Sequence, residues 1–316
     1  MLATWRDVLN ETFESAWDGM TTDRIIEANG FRLRVREQGS RRRRPVVLIH
    51  GFSQSLESWD AWADDLARDH RVIRFDLPGH GLSGPDPERR YSNDETVGAL
   101  SGLIEAMGLR KPILMGNSLG GLVAWRYASQ RPADVRSLVL LAPGGFPING
   151  VAEEPAPVPP SVEAYLLLAP ASAVRHATRS LYGDPSRLDQ DRIALARAQL
   201  NQSGVGVALV QRLKAFTLPD PTADLSRIAA PALIIWGGKD AVIPVGHAAR
   251  FADSLKRSEV ALFNDLGHMP HEEAPARTLK RARAFIGRPA GANVRAAARV
   301  AAEREASAHS AGSRAR

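Results

Sequence analysis

Residues 112–130 read PILMGNSLGGLVAWRYASQ, and this stretch decides the fold. It opens as an apolar run of strand length and continues, from Leu119, as a segment with helical spacing. Between the two, Gly116-Asn117-Ser118-Leu119-Gly120 fits the pattern G-x-S-x-G, which sets a serine on a sharp turn from strand into helix. A serine there adopts a strained backbone, and Gly116 and Gly120 are needed because side chains at those places would collide. The hydroxyl is then pushed out above the sheet. Serine also begins many helices simply as their N-cap. Glycine on both sides and an apolar strand in front favour Ser118 as a nucleophile.

Around this turn lie further short apolar runs: Val46 to His50, Val72 to Asp76, Leu138 to Ala142 and Ala232 to Trp236. Continuous apolar strands separated by helical segments imply a parallel sheet covered on both faces. The covering helices are expected near Ser58 to Arg68, Asn93 to Met107, Leu119 to Gln130, His247 to Ser254 and Pro275 to Ile286. Residues 24–37, RIIEANGFRLRVRE, alternate around Asn29-Gly30, a dipeptide that suits a two-residue hairpin turn, so an antiparallel hairpin should sit at a sheet edge. From Gly145 to about Asp224 the alternation stops. A proline-rich stretch there leads into helical sequence, which predicts an inserted helical cap.

The fold class expected is therefore α/β, a doubly wound, mostly parallel sheet with an inserted helical cap. The organisation expected is an N-terminal extension over 1–23, a core made of 24–145 and 225–286, a cap over 146–224, and a tail over 287–316. The tail holds eleven alanines with Arg, Ser and Gly, a composition with little to bury and one that predicts disorder.

Composition narrows the chemistry. The chain has no cysteine, which removes disulfides, thiol nucleophiles and thiolate metal sites. The net charge of +6 looks like a polyanion-binding signal, but its distribution argues otherwise. Arg41 to Arg44 contribute four positive charges and residues 287–316 a net four, so the remainder is slightly acidic. The arginine run reads as a solvated turn before a strand, and no nucleic-acid partner is expected. The first twenty residues carry acidic side chains where a secretory peptide needs an apolar region, and no stretch reaches eighteen uninterrupted apolar residues. No stable membrane insertion and a cytoplasmic location are expected; the oligomeric state is open.

Three loops at expected strand ends complete a constellation. His50-Gly51-Phe52 follows the first parallel strand, where the Phe52 N–H, with that of Leu119, could form an oxyanion hole; His50 itself reads as structural. Gly237-Gly238-Lys239-Asp240 follows the Ala232 strand and places an acid on a loop, although Asp240 could equally cap a helix or pair with Lys239. Leu266-Gly267-His268-Met269-Pro270 follows a strand candidate at Val260 to Phe263. Nucleophile, acid and base then appear in the order Ser118, Asp240, His268. Asp265, His247 and His271 are competitors. Asp265 is sequence-local to His268 and should sit too close to reach behind its ring, and His271 reads as the start of the last helix.

HGFSQS, DLPGHGLS, GNSLGG, WGGKD and GHMPHEEAP together resemble the α/β-hydrolase superfamily in its lipase, esterase and C–C hydrolase branch, over about residues 24–286. The resemblance implies Ser118, Asp240 and His268 as triad, the Phe52 and Leu119 N–H groups as oxyanion donors, and neither a metal nor an organic cofactor. It implies a structural, hydrogen-bonded His80. The expected reaction is hydrolysis of a carboxylic ester of a small to medium apolar substrate through an acyl-enzyme. C–C cleavage of a dienoic ring-cleavage product is the nearest rival, and a noncatalytic ligand receptor the remaining one. Cap residues Tyr165 and Leu167 are candidate substrate contacts. The cap arginines Arg175, Arg179, Arg187, Arg192, Arg197 and Arg212 are expected on an exposed helix face, and on that reading the acyl pocket is apolar.

Overall fold

The computed structural model describes residues 23–288. All but the last residue of the expected N-terminal extension and nearly all of the expected tail lie outside the described residues.

Asp23–Ala28 (β1) and Phe31–Gln38 (β2) form the expected hairpin, with Asn29 and Gly30 both at positive φ, 50° and 77°, as a two-residue turn requires. Six strands follow: Pro45–Ile49 (β3), Arg71–Phe75 (β4), Ile113–Asn117 (β5), Ser137–Leu141 (β6), Ala232–Gly237 (β7) and Ser258–Phe263 (β8). They form one sheet in the order β1-β2-β4-β3-β5-β6-β7-β8. β1 pairs with β2, and β2 with β4, antiparallel; every other pairing is parallel.

The central parallel strands β3, β5, β6 and β7 are largely apolar because both their faces are buried. In β3, Val47 and Ile49 join one core and Val46 and Leu48 the other. β7 divides the same way, with Ile234 and Trp236 on one face and Leu233 and Ile235 on the opposite one. The helices are Asp60–Leu66 (α1), Asn93–Ala106 (α2), Leu119–Gln130 (α3), Pro160–Leu168 (α4), Ala171–Ser180 (α5), Gln190–Leu200 (α6), Val205–Ala215 (α7), Thr222–Arg227 (α8), His247–Ser254 (α9), Pro270–Glu273 (α10) and Pro275–Ile286 (α11). The start of α2 follows from chemistry, since Ser92 and Glu95 make a reciprocal capping box there. α1 and α11 cover one face through Trp62, Leu66, Leu279 and Phe285; α2, α3 and α9 cover the other through Leu100, Leu103, Leu122, Val123 and Phe251.

The insert between β6 and β7 is helical and has a small core of its own, including Leu166, Val174, Leu200 and Leu209. Its last helix, α8, spans the expected 224/225 boundary, and Leu225 packs into the main core. Among the described residues no helix is long and apolar enough to cross a membrane. Arg41 to Arg44 are exposed in the turn before β3, as expected.

Candidate active site

At the end of β5 the chain turns sharply into α3, and Ser118 at the turn has φ 54° and ψ −115°. This is a strained region for a residue with a side chain. The turn is possible only because its neighbours are glycines. A Cβ on Gly116 would lie 2.3 Å from the Gly120 carbonyl oxygen, and one on Gly120 would lie 2.1 Å from that of Ile49. Helix and strands therefore meet backbone to backbone, and Ser118 remains partly accessible at the top of the sheet.

His268 lies on the loop after β8 and Asp240 on the loop after β7. The imidazole Nδ1 is 2.8 Å from Asp240 Oδ2, and the carboxylate is wholly buried. An ionised carboxylate can only accept, so Nδ1 carries the hydrogen and Nε2 is left as the acceptor. The other carboxylate oxygen, Oδ1, takes the N–H groups of Val242 and Ile243 at 2.8 and 3.0 Å, which fixes the acid from behind. The two loops are laced together by the Lys239 N–H donating to the Leu266 carbonyl at 2.9 Å. Asp265 faces elsewhere and pairs with Arg277 and Arg187.

The serine and histidine loops also touch. Asn117, fully buried and immediately before Ser118, donates from Nδ2 to the carbonyls of Leu141 (3.1 Å) and His268 (3.0 Å). Sequence reasoning gave Asn117 no role. Its position in G-N-S was visible, but the contact with a residue 151 positions away was not.

The loop after β3 carries Phe52. His50 Nε2 accepts the Leu77 N–H at 2.9 Å while Nδ1 meets the Gly51 carbonyl at 2.8 Å, and burial pulls this ring's pKa down to about 4. It is a neutral structural bridge. Asp76 holds the same loop, taking the Leu56 N–H on Oδ1 at 2.8 Å and Arg34 on Oδ2 at 3.2 Å. Burial pushes the Asp76 carboxyl up to about 6; burial would also raise Glu57, but Arg34 outweighs it and holds that group at about 2. His80 is buried, its Nδ1 bonded to the Pro78 carbonyl at 3.1 Å and its ring edge-on to Phe52. Leu119 is the first residue of α3, where N–H groups have no intrahelical acceptor.

In the cap, Tyr165 is half-buried and its hydroxyl reaches the Ser53 side chain, with burial raising its pKa. Leu167 is half exposed, on the part of α4 that meets Gly206 of α7. The arginine expectation needs correction. Arg175, Arg179, Arg187 and Arg197 are exposed, but Arg192 and Arg212 point inward. Arg192 Nε donates to Glu272 at 2.8 Å. Arg212 is 1% exposed and bonds the carbonyls of Pro78 and Tyr91 and the Thr96 hydroxyl, with burial lowering its pKa to about 10. Helical spacing cannot tell an arginine facing water from one whose fork is matched by carbonyls of a distant turn.

A parallel sheet crossed from an antiparallel hairpin, a serine on a glycine-flanked turn and a His–Asp pair on the next strand ends define the hydrolases of the α/β type. The chain belongs to that family: residues 44–275 match the alpha/beta hydrolase fold. It is similar to the dihydrolipoyllysine-residue acetyltransferase component of the acetoin cleaving system of Pseudomonas putida, 32% identical over 265 residues, covering 82% of this chain and 68% of the relative. It is also similar to 2-hydroxymuconate semialdehyde hydrolase of Pseudomonas sp. (strain CF600), 26% identical, covering 80% of this chain and 90% of the relative. Among solved structures, one from Burkholderia cenocepacia described as an aryl esterase superposes with a TM-score of 0.72 at 25% identity, covering 84% of this chain and 98% of that one.

Proposed function

We propose that this protein is a serine hydrolase that cleaves a carboxylic ester of a small to medium apolar substrate, with Ser118 as nucleophile, His268 as general base and Asp240 as the acid that orients it. The observation that carries the reading is the convergence of three loops. Ser118 is held at positive φ, His268 is paired to a buried Asp240 at 2.8 Å, and Asn117 ties the serine turn to the His268 carbonyl.

In this mechanism His268 Nε2 takes the hydroxyl proton as Ser118 Oγ attacks the ester carbonyl. The charge moving onto the carbonyl oxygen rests on the N–H groups of Phe52 and Leu119, each worth about 3 kcal/mol of barrier. The tetrahedral species collapses as His268 returns the proton to the leaving alcohol. Water, deprotonated by His268, then attacks the acyl-serine and releases the acid. Asp240 stabilises the imidazolium formed in each half.

A second reading is C–C hydrolysis of a dienoic acid, and the observation favouring it is that Arg192 of the insert turns inward, its Nε held by Glu272 while its Nη1 is buried with no hydrogen-bond partner among the described residues. The test compares a serine-directed phosphonate with an ester series and one dienoic ring-fission acid. Wild-type protein should label and Ser118→Ala should not, with ester turnover reduced by about 10⁴-fold or more in that variant. Rapid cleavage of the dienoic acid with feeble ester turnover would replace the esterase reading by the C–C one. Absence of labelling and of any turnover would leave a ligand receptor.

A further inference from the structure

Five residues beyond His268 lies Glu273, a carboxylate whose side chain is wholly buried. It accepts three backbone N–H groups: Gly267 on Oε2 at 2.7 Å, Gly183 on Oε2 at 3.0 Å and Asp184 on Oε1 at 2.8 Å. Gly267 is the residue before His268. Gly183 and Asp184 belong to the insert. Among the described residues its ion-pair partner is Arg187, 3.9 Å away and itself shared with Asp265 and Asp184.

The same two segments meet directly. The His268 N–H donates to the Leu181 carbonyl at 2.8 Å. Their contact is backbone to backbone: a Cβ on Gly267 would lie 2.4 Å from Gly183 N, and one on Gly183 would lie 2.7 Å from the Leu266 carbonyl carbon. On its opposite side the histidine loop rests against the acid loop, where a Cβ on Gly237 would be 2.1 Å from the Gly267 oxygen. Thus the peptide before His268 is held by Glu273, its N–H by Leu181, its carbonyl by Asn117 and its ring by Asp240. Glu272 adds a parallel tie, accepting the Tyr182 hydroxyl at 2.7 Å and Arg192 at 2.8 Å.

A carboxylate bonded to N–H donors is a charge-assisted anchor, stronger than a neutral acceptor, and removing it would leave three buried donors without partners. We infer that Glu273 is a positioning residue for the general base, and that residues 181–184 of the insert are a fixed wall of the catalytic site as well as part of the substrate cover. This inference rests on His268 being the base. Because that segment bonds His268 itself, movement of the cap root is transmitted to the imidazole with no intervening side chain.

The test uses Glu273→Gln in the full chain, with active sites titrated by the phosphonate so that kcat refers to folded enzyme. Gln keeps one acceptor oxygen and turns an NH2 group toward N–H donors. The expected result is a fall in kcat of about 10- to 100-fold, the scale of a displaced catalytic group, with KM unchanged within about threefold and the limiting rate of phosphonate labelling reduced in parallel. Gly183→Ala, whose methyl would push the cap wall off Leu266 without altering the carboxylate, should produce the same kcat-selective loss and carries the test if the glutamine variant does not fold. Either variant keeping wild-type kcat, or a rise in KM with kcat intact, overturns the inference. If wild-type protein itself fails to label, the serine-hydrolase reading has failed; if wild type and both variants label at the same rate, only the role of Glu273 has.

Discussion

A carboxylate orients an imidazole only by reaching the ring nitrogen that faces away from the nucleophile, and sequence proximity is no guide to that reach. Asp265 is three residues from His268 and is spent on Arg277 and Arg187 at the surface, where the paired guanidiniums hold its carboxyl well below the usual range. Asp240 is 28 positions away and bonds Nδ1. Asp240→Asn would present an amide that can leave the ring in the wrong tautomer, and kcat should drop by about 10⁴-fold, whereas Asp265→Asn should leave it within about twofold. Steady-state kinetics of the two purified variants check this, and equal losses would leave the acid unassigned. Ser118, Asp240 and His268 were legible because each sits in a short pattern at a strand end. Asn117, Glu273 and Arg192 were not, because each has a defining contact with a residue 80 to 151 positions away.

Elements are set mainly by local pattern, and most of their limits were legible: Leu119–Gln130, His247–Ser254 and Pro275–Ile286 fall where the helical spacing and the turn residues put them. How closely two elements may approach is a separate matter, decided by the absence of side chains. Gly120 packs against β3 with no room for a methyl group, which would lie 2.1 Å from the Ile49 oxygen and 2.5 Å from that of His50. Gly120→Ala should therefore destabilise by about 3 kcal/mol, at the upper end of ordinary overpacking, because backbone cannot rotate aside as a side chain does. At Gly246, where φ is −59° and nothing lies within 4 Å of an added Cβ, Ala should be neutral or slightly stabilising. Urea denaturation of both variants measures the contrast, and a tolerated Gly120→Ala would show that α3 can slide on β3.

On the scale of the whole molecule, burial of ionisable groups sets the pH range of stability. Burial holds His50 at about 4, His271 at about 3 and His80 well below the ordinary histidine value. A group whose folded pKa is depressed binds protons more readily when unfolded, so each histidine favours the fold fully above its unfolded pKa and loses that contribution as pH falls from about 6.5 toward 4. The loss is on the order of 3 kcal/mol for His50 alone. Asp76, raised to about 6, acts in the opposite sense over part of this window, since its protonation favours the fold. Burial also lowers His247 and raises Asp60, so four histidines stand against two carboxyls and leave a net loss: the urea midpoint should fall between pH 6.5 and 4, and a flat or rising midpoint would contradict the burial of these rings. The sequence by itself determined the sheet class, the insert after β6 and the three triad candidates, because apolar period, glycine spacing and turn chemistry act over a few residues. Only the tertiary structure decided which arginines of the cap turn inward and which segment of the insert braces His268, because those depend on matching a donor to an acceptor brought close by the fold and by nothing in the chain between them.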